Sequence, residues 1–268
     1  MDPAVPHPPD DARRFGGIAR LYGDAGRARL ATAHVCVVGI GGVGSWAVEA
    51  LARSGLGRLT LIDLDHVAES NINRQIHATE ATLGQAKVEA MRERIAAYNP
   101  ACQIALVDDF VTVDNAAALL GGGFDYVIDA IDAVRVKVAM IAFCRDAGVP
   151  VVTCGAAGGQ IEPTQIRVDD LSRTIQDPLL AKVRGQLRKG HGFPRDPKRK
   201  FGVEAVFSTE PLRYPAPDAS CELPAGNGQA VSGPAGLNCA GFGSVVTVTA
   251  CVGMFAAARA LNALAAAR

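Results

Sequence analysis

Three absences in the sequence narrow the class of protein before any motif is considered. Lys+Arg and Asp+Glu both number 27, so the net charge is zero and nucleic-acid binding requires a local basic patch. The seven cysteines form no C-x-x-C pair, which argues against a structural zinc ribbon. Their odd number, and the apolar runs around Cys36 and Cys144, favour reduced thiols in a cytosolic (cytoplasmic) protein over a disulfide framework.

The first twelve residues also lack the apolar stretch of a signal peptide. Residues 1–12 are proline-rich and acidic, so we expect a disordered arm before a single domain of residues 13–268. Residues 239–258 carry no charge and are long enough to span a bilayer. Ala, Gly, Ser and Thr make up over half of this segment, so we favour a buried core helix over membrane association.

Strand and helix signals alternate along the chain. This pattern predicts an α/β protein with a Rossmann-like, doubly wound and mostly parallel sheet. The expected strands are 35–39, 59–63, 104–107, 126–129 and 149–153, and the expected helices are 43–54, 84–98 and 134–147. Another strand should follow the loop that starts at Gly155. A flexible crossover of residues 215–237 and a terminal helix ending near Ala266 form a C-terminal extension.

A glycine turn follows the first expected strand. Its sequence is G-x-G-G-x-G, formed by Gly39, Gly41, Gly42 and Gly44, and a helix is expected directly after it. Glycines let the backbone approach a phosphate, and the helix N-terminus offers unpaired N–H groups. The turn therefore predicts a nucleotide site, although the same pattern occurs in proteins that bind NAD.

Polar residues after the turn in the sequence indicate which kind of nucleotide is bound. Asp63 ends the second strand, where a carboxylate can accept hydrogen bonds from ribose hydroxyls. Asn71 and Arg74 follow in the segment SNINRQIH, and the planar guanidinium of Arg74 suits phosphate oxygens. Lys87 begins a helix in LGQAK, against the helix dipole, so an anion is expected beside it. We expect Arg74 and Lys87 on the surface of a cleft, binding a triphosphate.

Two carboxylates come at the end of the fourth strand, in the sequence VIDAIDAV. The carboxyl edge of a parallel sheet lies over the nucleotide crevice, so Asp129 and Asp132 are both candidates for this site. We assign Asp132 to Mg²⁺ on the phosphates. The alternative for either residue is an N-cap of the next helix.

The longest basic segment is 182–200, which we expect to be a loop broken by Gly and Pro that contacts RNA. It contains Phe193 as its one aromatic residue, with Phe201 just beyond, so base stacking has few candidates. The alternative is a solvated loop without a partner.

The order of these motifs resembles the E1-like activating enzymes of the ThiF/MoeB/HesA type, over about residues 14–159. Members adenylate a carboxylate with ATP. The resemblance implies that Gly42 contacts phosphate, Asp63 the ribose and Asn71 the nucleotide. It also implies that Arg74 and Lys87 neutralise the triphosphate and that Asp132 binds magnesium.

Further segments are similar to one branch of that superfamily, the tRNA threonylcarbamoyladenosine dehydratases. They extend over nearly the whole chain: RFGGIARLYG, INRQIHA, IDAIDAVRVK, GGQIEPTQI, LSRTIQDPL and VFSTE. The resemblance implies ATP-dependent cyclisation of the threonyl side chain of a modified adenosine at position 37 of tRNA, through adenylation of its carboxylate. A cysteine desulfurase or sulfur-acceptor protein is a further possible partner.

Two features of the protein-activating relatives are altered here. Their paired C-x-x-C zinc motifs are missing, and their N-terminal R-x-x-R pattern is replaced by Arg14, glycines and then Arg20. We expect a homodimer in which Arg14 or Arg20 enters the partner's site. Cys239 lies near the position of a thioester-forming cysteine in those relatives, but we favour a buried structural residue.

Three other functions fit parts of the sequence. An adenylyltransferase for a small sulfur-carrier protein would share the nucleotide site, and its reaction would need a protein ending in Gly-Gly. An NAD-dependent oxidoreductase would use the glycine turn without needing Arg74 or Lys87. A non-catalytic or membrane-tethered nucleotide-binding module would show no ATP turnover.

Overall fold

The computed structural model describes residues 10–214 and 242–266. Seven strands alternate with seven α-helices in this part of the chain. The strands are β1 (His34–Val38), β2 (Arg58–Ile62), β3 (Gln103–Val107), β4 (Tyr126–Asp129), β5 (Val151–Cys154), β6 (Ile166–Asp170) and β7 (Glu204–Ser208). The helices are α1 (Asp11–Thr32), α2 (Gly44–Arg53), α3 (Lys87–Ala96), α4 (Ala116–Leu120), α5 (Val134–Ala147), α6 (Pro178–Gly190) and α7 (Val246–Ala266).

The strands form one sheet in the order β3-β2-β1-β4-β5-β7-β6. All neighbours are parallel except β6 and β7, so the expected mostly parallel, doubly wound sheet is confirmed. The chain moves outward from β1 to β3 and then returns to place β4 beside β1. This reversal opens a crevice at the carboxyl ends of β1 and β4, where ligands bind in such sheets.

Two apolar cores cover the two faces of the sheet. Successive residues of a strand point to opposite faces, so Val35 and Val37 lie in one core while Cys36 and Val38 lie in the other. The first core includes residues of α1, α2, α3 and α7, and the second includes residues of α4, α5 and α6. Both faces of the central strands are therefore buried, which explains their continuous apolar sequences.

The terminal helix α7 supports the glycine turn. By length and composition it could cross a membrane, but half of its apolar window is buried inside the protein. A Cβ atom on Gly253 would lie 2.3 Å from the Val43 carbonyl oxygen, so α7 crosses the start of α2 at backbone contact. Residues 215–241 lie outside the described part, so the predicted crossover of 215–237 stays a prediction.

The N-terminal boundary differs from the expected one. Residues 1–9 lie outside the described part, and α1 begins at Asp11, inside the arm that the sequence predicted for 1–12. The Asp10 side chain accepts a hydrogen bond from the Arg13 N–H at 3.0 Å and so caps this helix. The sequence prediction was wrong here because a capping aspartate was interpreted as part of an acidic arm.

Two segments differ from their predicted structure: one helix has other bounds, and one predicted loop is partly helical. The helix predicted for 84–98 is α3, which begins only at Lys87; Gly84, with φ +80°, belongs to the preceding turn. The segment predicted as a basic loop, 182–200, is helical up to Gly190 as part of α6. Asp177 caps α6, Pro178 begins it, and Val183 and Leu187 lie four residues apart on its buried face. The cap and the apolar spacing favour a helix more strongly than the exposed Gly185 disfavours it.

Candidate active site

The glycine turn links β1 to α2 at the crevice. Gly39 has φ +87°, a region that favours glycine, and a Cβ there would lie 2.9 Å from Ile131 in the loop after β4. A Cβ on Gly44 would lie 1.7 Å from the Gly39 carbonyl oxygen. No described atom lies within 4 Å of a Cβ built on Gly41. The turn is therefore tightly packed at both ends and open at Gly41.

Asp63 ties the end of β2 to this turn. One carboxylate oxygen accepts the Ile40 N–H at 2.6 Å, and the other accepts the Asp65 N–H at 2.8 Å. Burial raises the pKa of Asp63, and the nearby charge of Lys87 partly counteracts this. The carboxylate lies directly after β2, where the sequence predicted a ribose acceptor.

Lys87 is the first residue of α3 and so lies in the first turn of a helix, as the sequence predicted. Its Nζ atom lies 2.6 Å from the Asp65 Oδ2 atom, so the lysine is paired within the protein, and its contact with a nucleotide phosphate stays a prediction. The Lys87 side chain is only 7% exposed, whereas that of Asp65 is 54% exposed. The expectation that Lys87 lies on the surface was wrong, because its aliphatic chain is buried. Only its ammonium group reaches the two aspartates, Asp63 and Asp65.

Arg74 lies over the middle of the glycine turn. A Cβ on Gly42 would come within 3.1 Å of the Arg74 Cγ atom. The guanidinium donates to the Ser70 carbonyl oxygen at 2.7 Å, and the Trp46 Nε1 atom donates to the Arg74 carbonyl oxygen at 3.0 Å. Arg74 is thus held beside the turn by contacts to both its side chain and its backbone.

Asn71 organises the loop that carries Arg74. Its side chain is buried, and its Oδ1 atom accepts the Ala68 N–H at 3.1 Å. The Arg74 N–H donates to the Asn71 carbonyl oxygen at 3.0 Å. The structure therefore shows Asn71 supporting the loop, and its nucleotide contact stays a prediction.

The two carboxylates after β4 have different surroundings. Asp129 is fully buried and ion-paired with Lys137 at 2.9 Å, so it is a structural residue and not a nucleotide ligand. The N-cap residue of α5 is Ala133, so neither aspartate occupies that position. Asp132 lies in the half-buried loop between β4 and α5, and this loop contacts Gly39 through Ala130 and Ile131.

The donor set around Asp132 suits magnesium. Within the described ranges, no group of three or more His, Cys, Asp or Glu side chains could hold a metal. Magnesium is usually held by one or two carboxylates together with substrate phosphates and water. The Asp132 carboxylate, in the loop that contacts the glycine turn, fits this pattern as one such ligand.

Two predicted arginines lie away from this cluster. Arg14 and Arg20 are exposed on α1, and the Phe15 ring next to Arg14 contacts Gly55, which precedes β2. Gly55 lies at the amino ends of the strands, whereas the glycine turn follows β1 at their carboxyl ends. Neither arginine therefore reaches the turn of its own chain. Cys239 lies outside the described residues.

The basic segment forms an exposed surface on the last part of α6 and the loop after it. Exposed cations there are Lys182, Lys189, Arg195, Lys198, Arg199 and Lys200. Asp196 is the only acidic residue of 182–200. Phe193 and Phe201 are buried and contact each other at 5.0 Å between ring centroids, so they cannot stack on bases from this surface.

Sequence reasoning missed three residues that shape the site. Asp65 holds Lys87, Trp46 holds the backbone of Arg74, and Lys137 neutralises Asp129. The i+2 spacing in IDLD was a signal for Asp65, because its backbone N–H can reach the Asp63 carboxylate in a tight turn. A lysine on the apolar side of α5 was a signal for a buried ion pair.

Similarity to known proteins identifies the family of the chain. The sequence profile described as the ThiF family matches residues 16–267. The chain belongs to the ThiF family. A ThiF-family relative, "tRNA threonylcarbamoyladenosine dehydratase" of Haemophilus influenzae, is 52% identical over 94% of this chain and 93% of that protein. The crystal structure of the E. coli tRNA N6-threonylcarbamoyladenosine dehydratase in complex with ATP has a TM-score of 0.83 and 51% identity, covering 94% of both chains.

A more distant ThiF-family relative matches a smaller part of the chain. The molybdopterin-synthase adenylyltransferase of Salmonella typhimurium is 41% identical over 140 residues, which is 52% of this chain and 55% of that protein. The similarity to the dehydratases extends over nearly twice as much of the sequence. The resemblance predicted for both the superfamily and its branch is confirmed.

Proposed function

We propose that this ThiF-family protein is an ATP-dependent enzyme that dehydrates N6-threonylcarbamoyladenosine at position 37 of tRNA. One arrangement supports the proposal most strongly: Asp63 and Arg74 contact the glycine turn, Lys87 is paired with Asp65 next to Asp63, and the loop that contains Asp132 contacts Gly39. Dehydratases about half identical to this chain over nearly its full length support the substrate. The solved relative holds ATP, which supports the co-substrate.

In this proposal each residue of the crevice has one task toward ATP. The backbone of Gly41 and Gly42 and the first turn of α2 bind phosphate oxygens through N–H groups. The Asp63 carboxylate accepts hydrogen bonds from the ribose, and Asn71 contacts the nucleotide. Arg74 and Lys87 neutralise the triphosphate, which lowers the charge that repels an incoming carboxylate.

The chemistry proceeds in two balanced steps. A carboxylate oxygen of the threonyl group attacks the α-phosphorus of ATP, and the bond to pyrophosphate breaks. The carbamoyl group of the same nucleoside then attacks the acyl carbon, loses a proton, and AMP leaves with the former carboxylate oxygen. The ring closes with net loss of one water, and positioning by the crevice supplies much of the rate. Magnesium bound by Asp132 would neutralise phosphate charge.

The arginines of α1 act on the second copy of the chain. Arg14 and Arg20 are exposed and lie far from their own glycine turn, so a phosphate role requires a partner's crevice. Leu21, 79% exposed on the same helix, together with the exposed Met254 and Phe255 of α7, provides apolar surface for a homodimer.

The basic surface of α6 and the following loop binds the tRNA backbone. Its exposed lysines and arginines offer flexible contacts to phosphates, and their binding should depend on salt. Recognition of the modified base falls to the crevice, because the two phenylalanines of this region are buried. The described cysteines are free thiols, which agrees with a cytoplasmic enzyme that uses ATP and tRNA. A sulfur-acceptor or desulfurase partner stays a prediction.

The proposal is tested with purified protein, ATP, magnesium and tRNA carrying threonylcarbamoyladenosine. Mass spectrometry of the digested tRNA should show loss of one water from the modified adenosine, and AMP and pyrophosphate should form in equal amounts. Release of pyrophosphate only with a protein ending in Gly-Gly would favour the sulfur-carrier adenylyltransferase instead. Binding of NAD without ATP turnover would favour an oxidoreductase.

A further inference from the structure

A buried ion pair lies beneath the loop that carries Asp132. Asp129 at the end of β4 and Lys137 in α5 have no exposed side-chain surface, and their charged atoms are 2.9 Å apart. Thr153 of β5 donates to the same Asp129 oxygen at 2.7 Å and accepts from the Lys137 ammonium at 3.1 Å. The three side chains form a closed triangle at the carboxyl ends of two neighbouring strands.

Stability alone is a weak reason for this triangle. Removing two charges from water costs more than their attraction returns in many proteins, and apolar replacements of such pairs are often neutral or stabilising. Fully buried lysines are rare for the same reason. A positional role gives a better reason for placing the pair here.

The triangle is connected to the phosphate-binding turn. The second oxygen of Asp129 faces the Ile131 N–H at 3.4 Å, and the Ala130 N–H donates to the Val38 carbonyl oxygen at 2.9 Å. Ala130 and Ile131 are the residues that contact Gly39. Asp132 follows directly. The Asp129 carboxylate therefore contacts the loop at Ile131, one of the two residues through which the loop meets the glycine turn.

We propose that Lys137 is a positioning residue that, through Asp129 and Thr153, fixes the loop 130–133 so that Asp132 faces the phosphates of bound ATP. This inference rests on the proposed role of Asp132 in holding magnesium. Without the ammonium, the Asp129 carboxylate loses its charged partner in the apolar core and holds Ile131 less firmly. Magnesium affinity then falls, because a metal site binds its ion more weakly when the groups that orient its ligands are removed.

Calorimetric titration of ATP with and without magnesium tests this without any turnover. For Lys137→Met we expect an unchanged ATP affinity in the absence of magnesium. The gain, which is the factor by which magnesium raises the ATP affinity, should be about tenfold smaller than in the wild type. Thr153→Val, nearly the same shape, should lose part of that gain and keeps the test open if Lys137→Met does not fold. Glu49→Gln is the matched control, because Glu49 is also buried, with 3% of its side chain exposed, and is paired with Arg53 of α2 and Arg94 of α3. It should keep the full gain.

Asp132→Asn separates the two levels of the argument. If Asp132→Asn loses the magnesium gain while both Lys137→Met and Thr153→Val keep it, the positioning role of Lys137 is wrong and the assignment of Asp132 stands. If Asp132→Asn itself keeps the gain, the magnesium assignment is wrong and the inference about Lys137 fails with it.

Discussion

The Nζ atom of Lys87 lies 2.6 Å from the Oδ2 atom of Asp65. The Asp65 N–H in turn donates to Asp63, which also accepts the Ile40 N–H of the glycine turn. A buried cation is therefore connected to the backbone of the glycine turn through two aspartates, Asp65 and Asp63. This chain of contacts fixes the position of the Lys87 ammonium before any nucleotide arrives.

Removing the ammonium should affect catalysis far more than folding. Lys87→Met keeps the buried aliphatic chain and leaves only the mostly exposed Asp65 without its partner. We expect the catalytic rate to fall at least about a hundredfold, the usual effect of deleting one preorganised charge donor, with a nearly unchanged melting temperature. Lys87→Ala should melt lower, because it also opens a cavity. Full activity of Lys87→Met in a steady-state assay would show that the ammonium has no role with the phosphates.

Alanine substitutions at two glycines of the turn should have different effects, one on folding and the other on ATP binding. Gly44→Ala would place a carbon 1.7 Å from a carbonyl oxygen, so we expect a large loss of stability. Gly41→Ala meets open space and should fold normally, but its methyl group would project toward the phosphates and weaken ATP binding about tenfold, or by about 1.4 kcal/mol. Thermal melting and calorimetry measure the two effects. Wild-type ATP affinity in Gly41→Ala would place the phosphates elsewhere.

The affinity for ATP should fall as the solution is acidified. This fall should begin at a higher pH than it would if Asp63 had the pKa of an ordinary aspartate. Burial raises the pKa of Asp63 above its usual 3.8, and its protonated form cannot accept both ribose hydrogen bonds. The raised folded pKa means that the native state holds the proton more tightly than the unfolded chain. Protonation therefore stabilises the fold at low pH while it removes the acceptor. Fluorescence of Trp46, the only tryptophan, can report binding as a function of pH.

The Asp63→Asn variant provides the control for this pH dependence. It should bind ATP more weakly at neutral pH and show no further loss as the pH falls toward the raised pKa. An acidic limb of the same size in Asp63→Asn would assign the titration to another group.

The basic surface should contribute to tRNA affinity through charge alone. Replacing Lys198, Arg199 and Lys200 by glutamine should weaken tRNA binding and reduce the slope of log affinity against log salt by about two, while ATP affinity stays constant. Arg58 and Arg92, exposed elsewhere, serve as the control pair and should leave the slope unchanged. Equal effects of both sets would mean that no local surface is used.

Subunit mixing should show whether an α1 arginine acts in the partner's site. Arg14→Ala and Lys87→Met are each expected to be inactive, but the mixed dimer contains one site with both residues intact. Exchange at equal concentrations should restore about a quarter of wild-type activity, because half of the dimers are mixed. The same mixture with Arg20→Ala tells which arginine acts. Absence of recovery with both variants, after exchange is verified by native mass spectrometry, would contradict the assignment.

Much of the site could be predicted because its signals are local. Gly39 and Gly44 are dictated by backbone geometry, and Asp63 is the acidic residue at the end of a buried strand, so short patterns predict them. The family resemblance supplied the order of Arg74, Lys87 and Asp132. The carboxyl ends of parallel strands then bring these residues to one edge without any knowledge of side-chain contacts.

Other features depend on contacts that a linear pattern does not contain. Asp129 and Asp132 look alike in VIDAIDAV, and although the resemblance favours Asp132 for magnesium, only the packing of Lys137 shows that Asp129 is structural. The burial of Lys87 follows from α3 packing on the sheet. The helical part of the basic segment was hidden because charge and glycine suggested a loop, whereas Leu187 and its apolar neighbours set its structure.

The fate of one carboxylate oxygen tests the central claim most directly. The tRNA is prepared with heavy oxygen in the threonyl carboxylate and incubated with the enzyme, ATP and magnesium. The account predicts that one heavy oxygen atom leaves in each AMP formed, in step with loss of water from the modified adenosine. Heavy oxygen in inorganic phosphate, with ADP as the nucleotide product, would contradict adenylation of the carboxylate.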